Sequence, residues 1–385
     1  MNRKEQLWQQ GLEGTLGVPF STGNRIEVLR NGVDIFPAML NAIERAEHSI
    51  DMLTYVYWTG DIAERFATAL SRRAQAGIEV RLLLDAVGAA QMRQEWIHGM
   101  KDAGVDVRWF REPVRWRFWV ADHRTHRKVL VCDRATGFTG GVGIAEEWEG
   151  DARNTSEWRD THFRIEGPAV YGLMAAFLGN WAEAGGAEYL DAQRMPRLEG
   201  SGSAPVQVIR ATASIGWSDV ATVLRTLVQS AQTRLRIASA YFVPDAQMRA
   251  LLVAAAERGV QVQVMMPGQH HDERVSQLAT EDDVAELLRG GVEIYRYEAT
   301  MFHVKAVTVD ACLACIGSAN FNQRSMRKDD EIVMLVLEAA TVSKLDHHFD
   351  QDLKQCQQLT RESWRKRGPL QRLGEWLVRP VRGQT

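Results

Sequence analysis

The chain repeats itself, and this constrains its fold more than any other feature. IEVLRNG from Ile26 matches VQVIRAT from Val206, and AEHSIDMLTYVYW from Ala46 matches AQTRLRIASAYFV from Ala231. AGIEVRLLLD from Ala76 matches RGVQVQVMMP from Arg258, and AGVDVRWF from Ala103 matches GGVEIYRY from Gly290. HRKVLVCD from His126 matches HVKAVTVD from His303. The separation stays between 177 residues, for the two histidines, and 187, for Ala103 and Gly290. One apolar match arises by chance, but five in the same order mark an internal duplication.

Each half has the same local grammar. A β-rich run is followed by a helical stretch, Asp61 to Gln75 in one half and Asp245 to Glu257 in the other. Gly77 and Gly259 stop these helices, since glycine takes the left-handed conformation that ends a helix at low cost. Short apolar strands follow, Val80 to Leu84 and Val262 to Met266. Alternating strands and helices predict an α/β class with helices layered on a sheet. At 385 residues the chain exceeds what one core usually fills, about 250–300 residues, so two lobes are expected. The Gly-, Ser- and Pro-rich stretch RMPRLEGSGSAP, from Arg194, separates them. The expected division is an N-terminal extension over 1–20, a first lobe over 21–195, a linker over 196–204, a second lobe over 205–355 and a basic tail over 356–385.

The chemistry sits at the repeat. The second half carries His303-Val-Lys305, then Asp310, then Gly317-Ser318-Ala-Asn320. Residues at i and i+2 of a strand share a face, so His303 and Lys305 point the same way. A turn at Asp310-Ala311 and a return strand over Leu313 to Ile316 bring Ser318 and Asn320 back beside them. An imidazole, an ammonium, a hydroxyl and an amide together make a phosphate site with a nucleophile or acid in it. The first half keeps His126, Lys128, Asp133 and Gly140, but Gly141 and Gly143 stand where Ser and Asn stand in the second. Backbone N–H groups of that glycine-rich turn, Gly141 among them, can serve in their place. With two facing half-sites, one imidazole attacks phosphorus and the other protonates the leaving alkoxide; the roles then reverse. The lysines hold the non-bridging oxygens, so neither metal nor cofactor is needed.

A histidine base needs an orienting partner on its other nitrogen. The first half offers Asp160 after His126, and the second offers Glu331 after His303. Asp133 and Asp310 stand an odd number of residues from their lysines and leave the reacting face, which predicts turn or ion-pair roles.

The doubled His-x-Lys-x4-Asp pattern resembles the phospholipase D superfamily. The likeness spans roughly residues 25–350 and is closest to bacterial cardiolipin synthases without transmembrane helices. It is carried by HRKVLVCD, GFTGG from Gly137, WRDTHFRIEGPAV from Trp158 and HVKAVTVDACLACIGSANFNQRS. The resemblance implies two tandem α/β/α lobes with the active site at their interface. It implies a phosphohistidine, no metal, and the two His-Lys-Asp sets as the catalytic motif, with His126 as nucleophile and His303 as general acid. It also implies transfer of a phosphatidyl group from phosphatidylglycerol or a similar lipid to a lipid alcohol.

Other features bear on the partner. RWFREPVRWRFW, from Arg108, interleaves arginine with aromatics and suits an anionic lipid interface, although packing between the lobes is the plainer reading. The tail from Arg361 has seven Lys or Arg against two Glu, with Trp364, Leu370, Leu373, Trp376 and Leu377 spaced for an interfacial helix begun near Pro369. A net charge of −3 argues against a general nucleic-acid binder, so the expected partner is anionic phospholipid at a membrane surface. The start MNRKEQLWQQGLEG lacks the apolar core of a signal peptide, and no run of about 18 apolar residues occurs. Peripheral attachment to the cytoplasmic face of the membrane is therefore expected. Cys312-x-x-Cys315 comes without further ligands at zinc spacing. Two other functions fit less well: a hydrolase of the same fold acting on lipid or nucleic acid, and a membrane-binding module without catalysis.

Overall fold

A computed structural model describes residues 3–112, 123–186, 198, 200–212, 219–271 and 283–365. The first half supplies strands β1 (Ser21–Arg30), β2 (Ser49–Thr54), β3 (Glu79–Asp85), β4 (Asp106–Phe110), β5 (Val129–Cys132), β6 (Thr136–Gly140) and β7 (Thr161–Glu166). The second supplies β8 (Ala204–Ala211), β9 (Arg234–Ser239), β10 (Phe242–Val243), β11 (Gln261–Pro267), β12 (Glu293–Tyr297), β13 (Lys305–Val309), β14 (Leu313–Gly317), β15 (Phe321–Asn322), β16 (Glu331–Val336) and β17 (Cys356–Leu359).

The duplication is visible in the sheet. The first half runs in the order β4-β3-β2-β5-β6-β7-β1, and the second runs β12-β11-β9-β13-β14-β16-β8 with β17 outside it. The two join through antiparallel β1 and β8, making one sheet of fifteen strands; β10 and β15 pair separately. Parallel strands need crossover helices. Asp61–Gln75 and Gln94–Asp102 supply them between β2, β3 and β4, and Ala246–Glu257 does so between β9 and β11. Asp245 caps that last helix by accepting from the Met248 N–H.

Alternation along the strands builds three apolar layers. Leu130 and Cys132 of β5 face the helices Asn31–Arg45 and Asp61–Gln75. Val307 and Val309 of β13 face the helix Asp219–Ser230 in the equivalent layer of the second lobe. Between them lies a shared inner layer, where Val129, Phe163, Phe177 and Trp181 meet Phe302, Met334, Leu345 and Phe349. The lobes are therefore fused by apolar burial as well as by strand pairing.

Three expectations change here. The N-terminal helix Arg3–Leu16 buries Trp8 and Leu12 in the core of the second lobe, so the extension is part of that lobe's packing. The tail begins as a strand, β17, on β12, and Trp364 is buried in the same core instead of facing a lipid surface. At the start of the aromatic-basic segment, Phe110 is fully buried, Arg108 stacks on Trp181 and Arg111 pairs with Glu183, which makes this part structural. Residues 113–122 and 366–385, with the rest of both predicted interfaces, lie outside the described residues, as does most of the linker. No helix among the described residues is long and apolar enough to cross a membrane.

Candidate active site at the lobe interface

The two His-x-Lys segments enter their hairpins, β5–β6 and β13–β14, from the lobe interface. Before each hairpin the chain makes a parallel bridge to the other lobe, Thr125 with Asp330 and Phe302 with Arg159. His126 N–H donates to the Asp330 carbonyl at 2.9 Å, and His303 N–H donates to the Arg159 carbonyl at 2.8 Å. Each histidine is thus hung on the strand that carries the other lobe's acid.

This reverses the within-half pairing that the sequence suggests. Nδ1 of His126 lies 3.0 Å from Glu331 Oε1, and Nδ1 of His303 lies 2.7 Å from Asp160 Oδ2. Asp160 and Glu331 do orient the histidines, but across the interface. The cause is topological: an acid at the start of β7 or β16 sits opposite the bridge made by the facing lobe, and its own lobe's histidine is out of reach.

Burial would push both acids up, but their partners outweigh it. His126, Lys128 and Ser318 bring Glu331 down to about 2, and His303 and Lys305 lower Asp160. Both are ionised at neutral pH, so Nδ1 of each ring donates to its acid and Nε2 is left for the substrate. Burial, with the Lys128 charge, lowers His126 to about 4 and keeps it neutral and nucleophilic. Burial and Lys305 lower Lys128 to about 7. Lys128 and Lys305 reach back to the carbonyls of His126 and His303 at 2.9 and 2.7 Å. The Lys305 charge contributes to the lowering of both His126 and Lys128.

The other predicted residues divide. Ser318 Oγ donates to Glu331 and accepts from the Ile332 N–H, so it holds the acid and is not a phosphate ligand. Asn320 is buried, its N–H donating to Ser325 Oγ and its Oδ1 without a partner. Gly141 is needed for space: a Cβ there would lie 2.3 Å from Asp160 Oδ1, so the glycine admits the acid, and its N–H donates to the Thr161 carbonyl at 3.3 Å. Asp133 and Asp310 are not at the site. Asp133 accepts from the N–H groups of Glu47, His48 and Ser49, and Asp310 from those of Gln232, Thr233 and Arg234. Each ties the far end of its hairpin to the start of the next strand, so these motif aspartates are structural.

Several residues escaped the sequence. Trp148 Nε1 donates to Asp160 Oδ2 at 2.9 Å, and Ser325 Oγ donates to Glu331 at 2.6 Å. Trp148 and Trp158 pack on the His303 ring at 5.2 and 5.5 Å, and Tyr55 packs edge-on to His126 at 5.3 Å. Ser325, in the QRS that follows GSAN, was within reach of a close reading of that segment. Trp148 stands 177 residues before Ser325, the separation of the two histidines, but an indole in place of a hydroxyl hides the equivalence in the sequence.

A family model described as cardiolipin synthase, PLD-like domain, matches residues 39–157 and 224–353. Cardiolipin synthase 1 of Bacillus cereus is 32% identical over 375 residues, covering 95% of this chain and 73% of that protein. A probable cardiolipin synthase of Bacillus subtilis is 32% identical over 368 residues, covering 94% and 73%. Among solved structures, phosphatidylserine synthase of Haemophilus influenzae superposes over 100% of both chains with a TM-score of 0.75 at 15% identity, a likeness of fold.

Proposed function

We propose a catalytic cycle from the premise that this chain belongs to the cardiolipin synthase family of phospholipase D-like domains. It is an enzyme of the phospholipase D superfamily, a phosphatidyltransferase acting on membrane phospholipid. The observation that carries the cycle is the crossed pairing, in which Nδ1 of each histidine lies against an acid of the other lobe and Nε2 is left for the substrate.

In the cycle, Nε2 of His126 attacks the phosphorus of phosphatidylglycerol. The N–P bond forms as the bond to the glycerol oxygen breaks, and His303, which enters this step as the imidazolium, gives its Nε2 proton to the departing alkoxide and is left as the neutral Nδ1–H tautomer. A second lipid alcohol then enters, His303 takes its hydroxyl proton, and the alkoxide displaces His126. Glu331 and Asp160 keep the rings in one tautomer and stabilise each as it becomes cationic. Lys128 and Lys305 neutralise the non-bridging oxygens, which carry the charge of the transition state. His126 suits the nucleophile because it is neutral over the whole physiological range.

The acceptor we favour is a second phosphatidylglycerol, giving cardiolipin and glycerol. The partner is an anionic phospholipid surface, met from the cytoplasmic face, with no nucleic acid. The basic, tryptophan-containing segment after Arg365 supports this. Mass spectrometry of products from phosphatidylglycerol vesicles tests it. Cardiolipin plus glycerol is the expected result; phosphatidic acid alone would mean that water is the acceptor.

A further inference from the structure

Asp160 immediately precedes β7, and two residues on His162 is 1% exposed with an Nδ1 that has no hydrogen-bond partner. An unpaired buried polar atom costs about 1–3 kcal/mol, so its presence asks for a reason. The register supplies one. Gly140 pairs with His162, and the β5–β6 register, Val129 with Thr139, sets Lys128 beside Gly140. Laterally paired residues share a face, so Lys128, Gly140 and His162 form one row across the sheet. A Cβ on Gly140 would lie 2.6 Å from His162 Nδ1, so the ring leans over the glycine towards the lysine. Burial, with Lys128 nearby, lowers His162 to about 4 and keeps it uncharged.

The second half has the same row with one change. Ala306 pairs with Ile316, setting Lys305 beside Gly317, and Gly317 pairs with Val333. Valine does not fill the space: Ser239, Lys305, Gly317 and Val333 line a small cavity there. The two rows differ as His162 differs from Val333, a ring against a void.

We propose that His162 is a positioning residue, the floor on which Lys128 stands, so that the first ammonium is held up towards the substrate phosphate. The role suits a cycle in which the first lysine stays on the phosphoryl group as leaving and entering alcohols exchange. It rests on the phosphatidyl-transfer cycle above.

The test compares the full chain with His162→Val, which installs the second half's residue, and His162→Phe, which keeps a ring and removes the nitrogens. Cardiolipin formation from phosphatidylglycerol vesicles is read alongside binding of orthovanadate, a tetrahedral oxyanion that needs no lipid turnover. For His162→Val we expect kcat to fall about 10- to 100-fold with donor KM within about twofold, since a displaced catalytic group costs rate. Vanadate should bind about tenfold more weakly, and Tm should hold or rise because an unpaired buried polar atom is gone. His162→Phe should stay within about threefold of the parent in both assays. Parental activity and vanadate affinity in the Val variant would overturn the inference. So would loss of activity in the Phe variant, or a Tm fall of several degrees in the Val variant, which would mark His162 as structural. A parent chain that binds vanadate but makes no cardiolipin would overturn the proposed acceptor, and the vanadate comparison would still decide the role of His162.

Discussion

The two half-sites solve one problem with different parts. Each must hold an ionised carboxylate against Nδ1 of a histidine from the other lobe. Around His126 this falls to Glu331, fixed by the hydroxyls of Ser318 and Ser325. Around His303 it falls to the shorter Asp160, fixed by the Trp148 indole and the Thr161 N–H. A shorter acid must sit closer to the sheet, and the space for it is made by Gly141, where the other half has Ser318. The missing serine is therefore an exchange of one donor set for another, and the first half-site is intact. The walls differ too. Trp158 packs on His303, whereas the matching residue beside the other bridge is Asp329, tied to Arg324 at 2.9 Å and raised to about 7 by burial. Duplication preserved the crossed pairing, and the surroundings diverged enough to give two like imidazoles unlike work.

The sharpest way to break the comparison is to remove each imidazole. His126→Ala and His303→Ala should each cut cardiolipin formation about 10⁴-fold or more, because the two act as a unit. Their covalent chemistry should differ. With an aryl phosphodiester, whose leaving group needs no proton, His303→Ala should accumulate a phosphoenzyme on His126 and His126→Ala should give none. Peptide mapping that found the adduct on His303 instead would reverse the two roles.

A smaller effect tests the exchanged donor sets. Gly141→Ser should cost about 10²- to 10³-fold in kcat, because its Cβ collides with Asp160 and turns the acid that orients His303. Ser318→Ala removes one of two hydroxyls on Glu331 and should cost about tenfold, or about 1.4 kcal/mol of barrier. If the two substitutions cost the same, the halves are interchangeable at this position and the comparison fails.

How much of this could be read from residues alone follows from the range of the interactions. The hairpins, the turns at Asp133 and Asp310 and the shared face of His and Lys depend on neighbours a few residues away, and the repeat displays them twice. The pairing of His126 with Glu331 depends on the bridge between Thr125 and Asp330, and nothing in either half's spacing encodes contact with the other half. Ser318 was visible as a polar residue near the motif, but whether it met phosphate or carboxylate turned on where β16 lay. His162 has no polar twin in the repeat, and the twin of Trp148, Ser325, is a donor of another kind, so duplication, the strongest signal in the sequence, worked against seeing them.

The pH profile sharpens the comparison more gently. His126 must be neutral to attack, so kcat/KM should fall as pH drops through about 4. Lys128 must be charged to hold phosphate, so the alkaline limb should lie near 7 in the free enzyme. Lys128→Arg should move that limb upward, since arginine stays charged; an unmoved limb would assign it to another group. Stability has its own signs. Glu331, lowered to about 2, contributes stability that is full above the unfolded carboxyl value of about 4.3 and is lost as pH falls towards 2. His126, held neutral, loses stability earlier, as pH falls from about 6.5, where the unfolded imidazole begins to take a proton. Acid unfolding should therefore begin as the buried histidines of the first lobe, His126 and His162, take up protons.

The smallest effect is expected at the ends of the hairpins, where the halves remain alike. Asp133 and Asp310 both adopt positive φ, 53° and 51°, and each collects three backbone N–H groups from the start of a neighbouring strand. Aspartate tolerates that left-handed turn and its carboxylate satisfies donors that the sheet leaves open. Hydrogen bonds to a charged group are worth about 1.5–3 kcal/mol each at most, and these sites are part-exposed, so a loss of about 1–3 kcal/mol is expected for Asp133→Ala and Asp310→Ala alike. In a chain of this size that is a Tm lower by a few degrees, with kcat within about threefold of the parent at a temperature where both are folded. Equal losses of stability with catalysis retained would show that divergence is confined to the lobe interface. A large fall in kcat for one aspartate alone would show that the far end of that hairpin governs its histidine, so that the difference between the half-sites reaches along the whole motif.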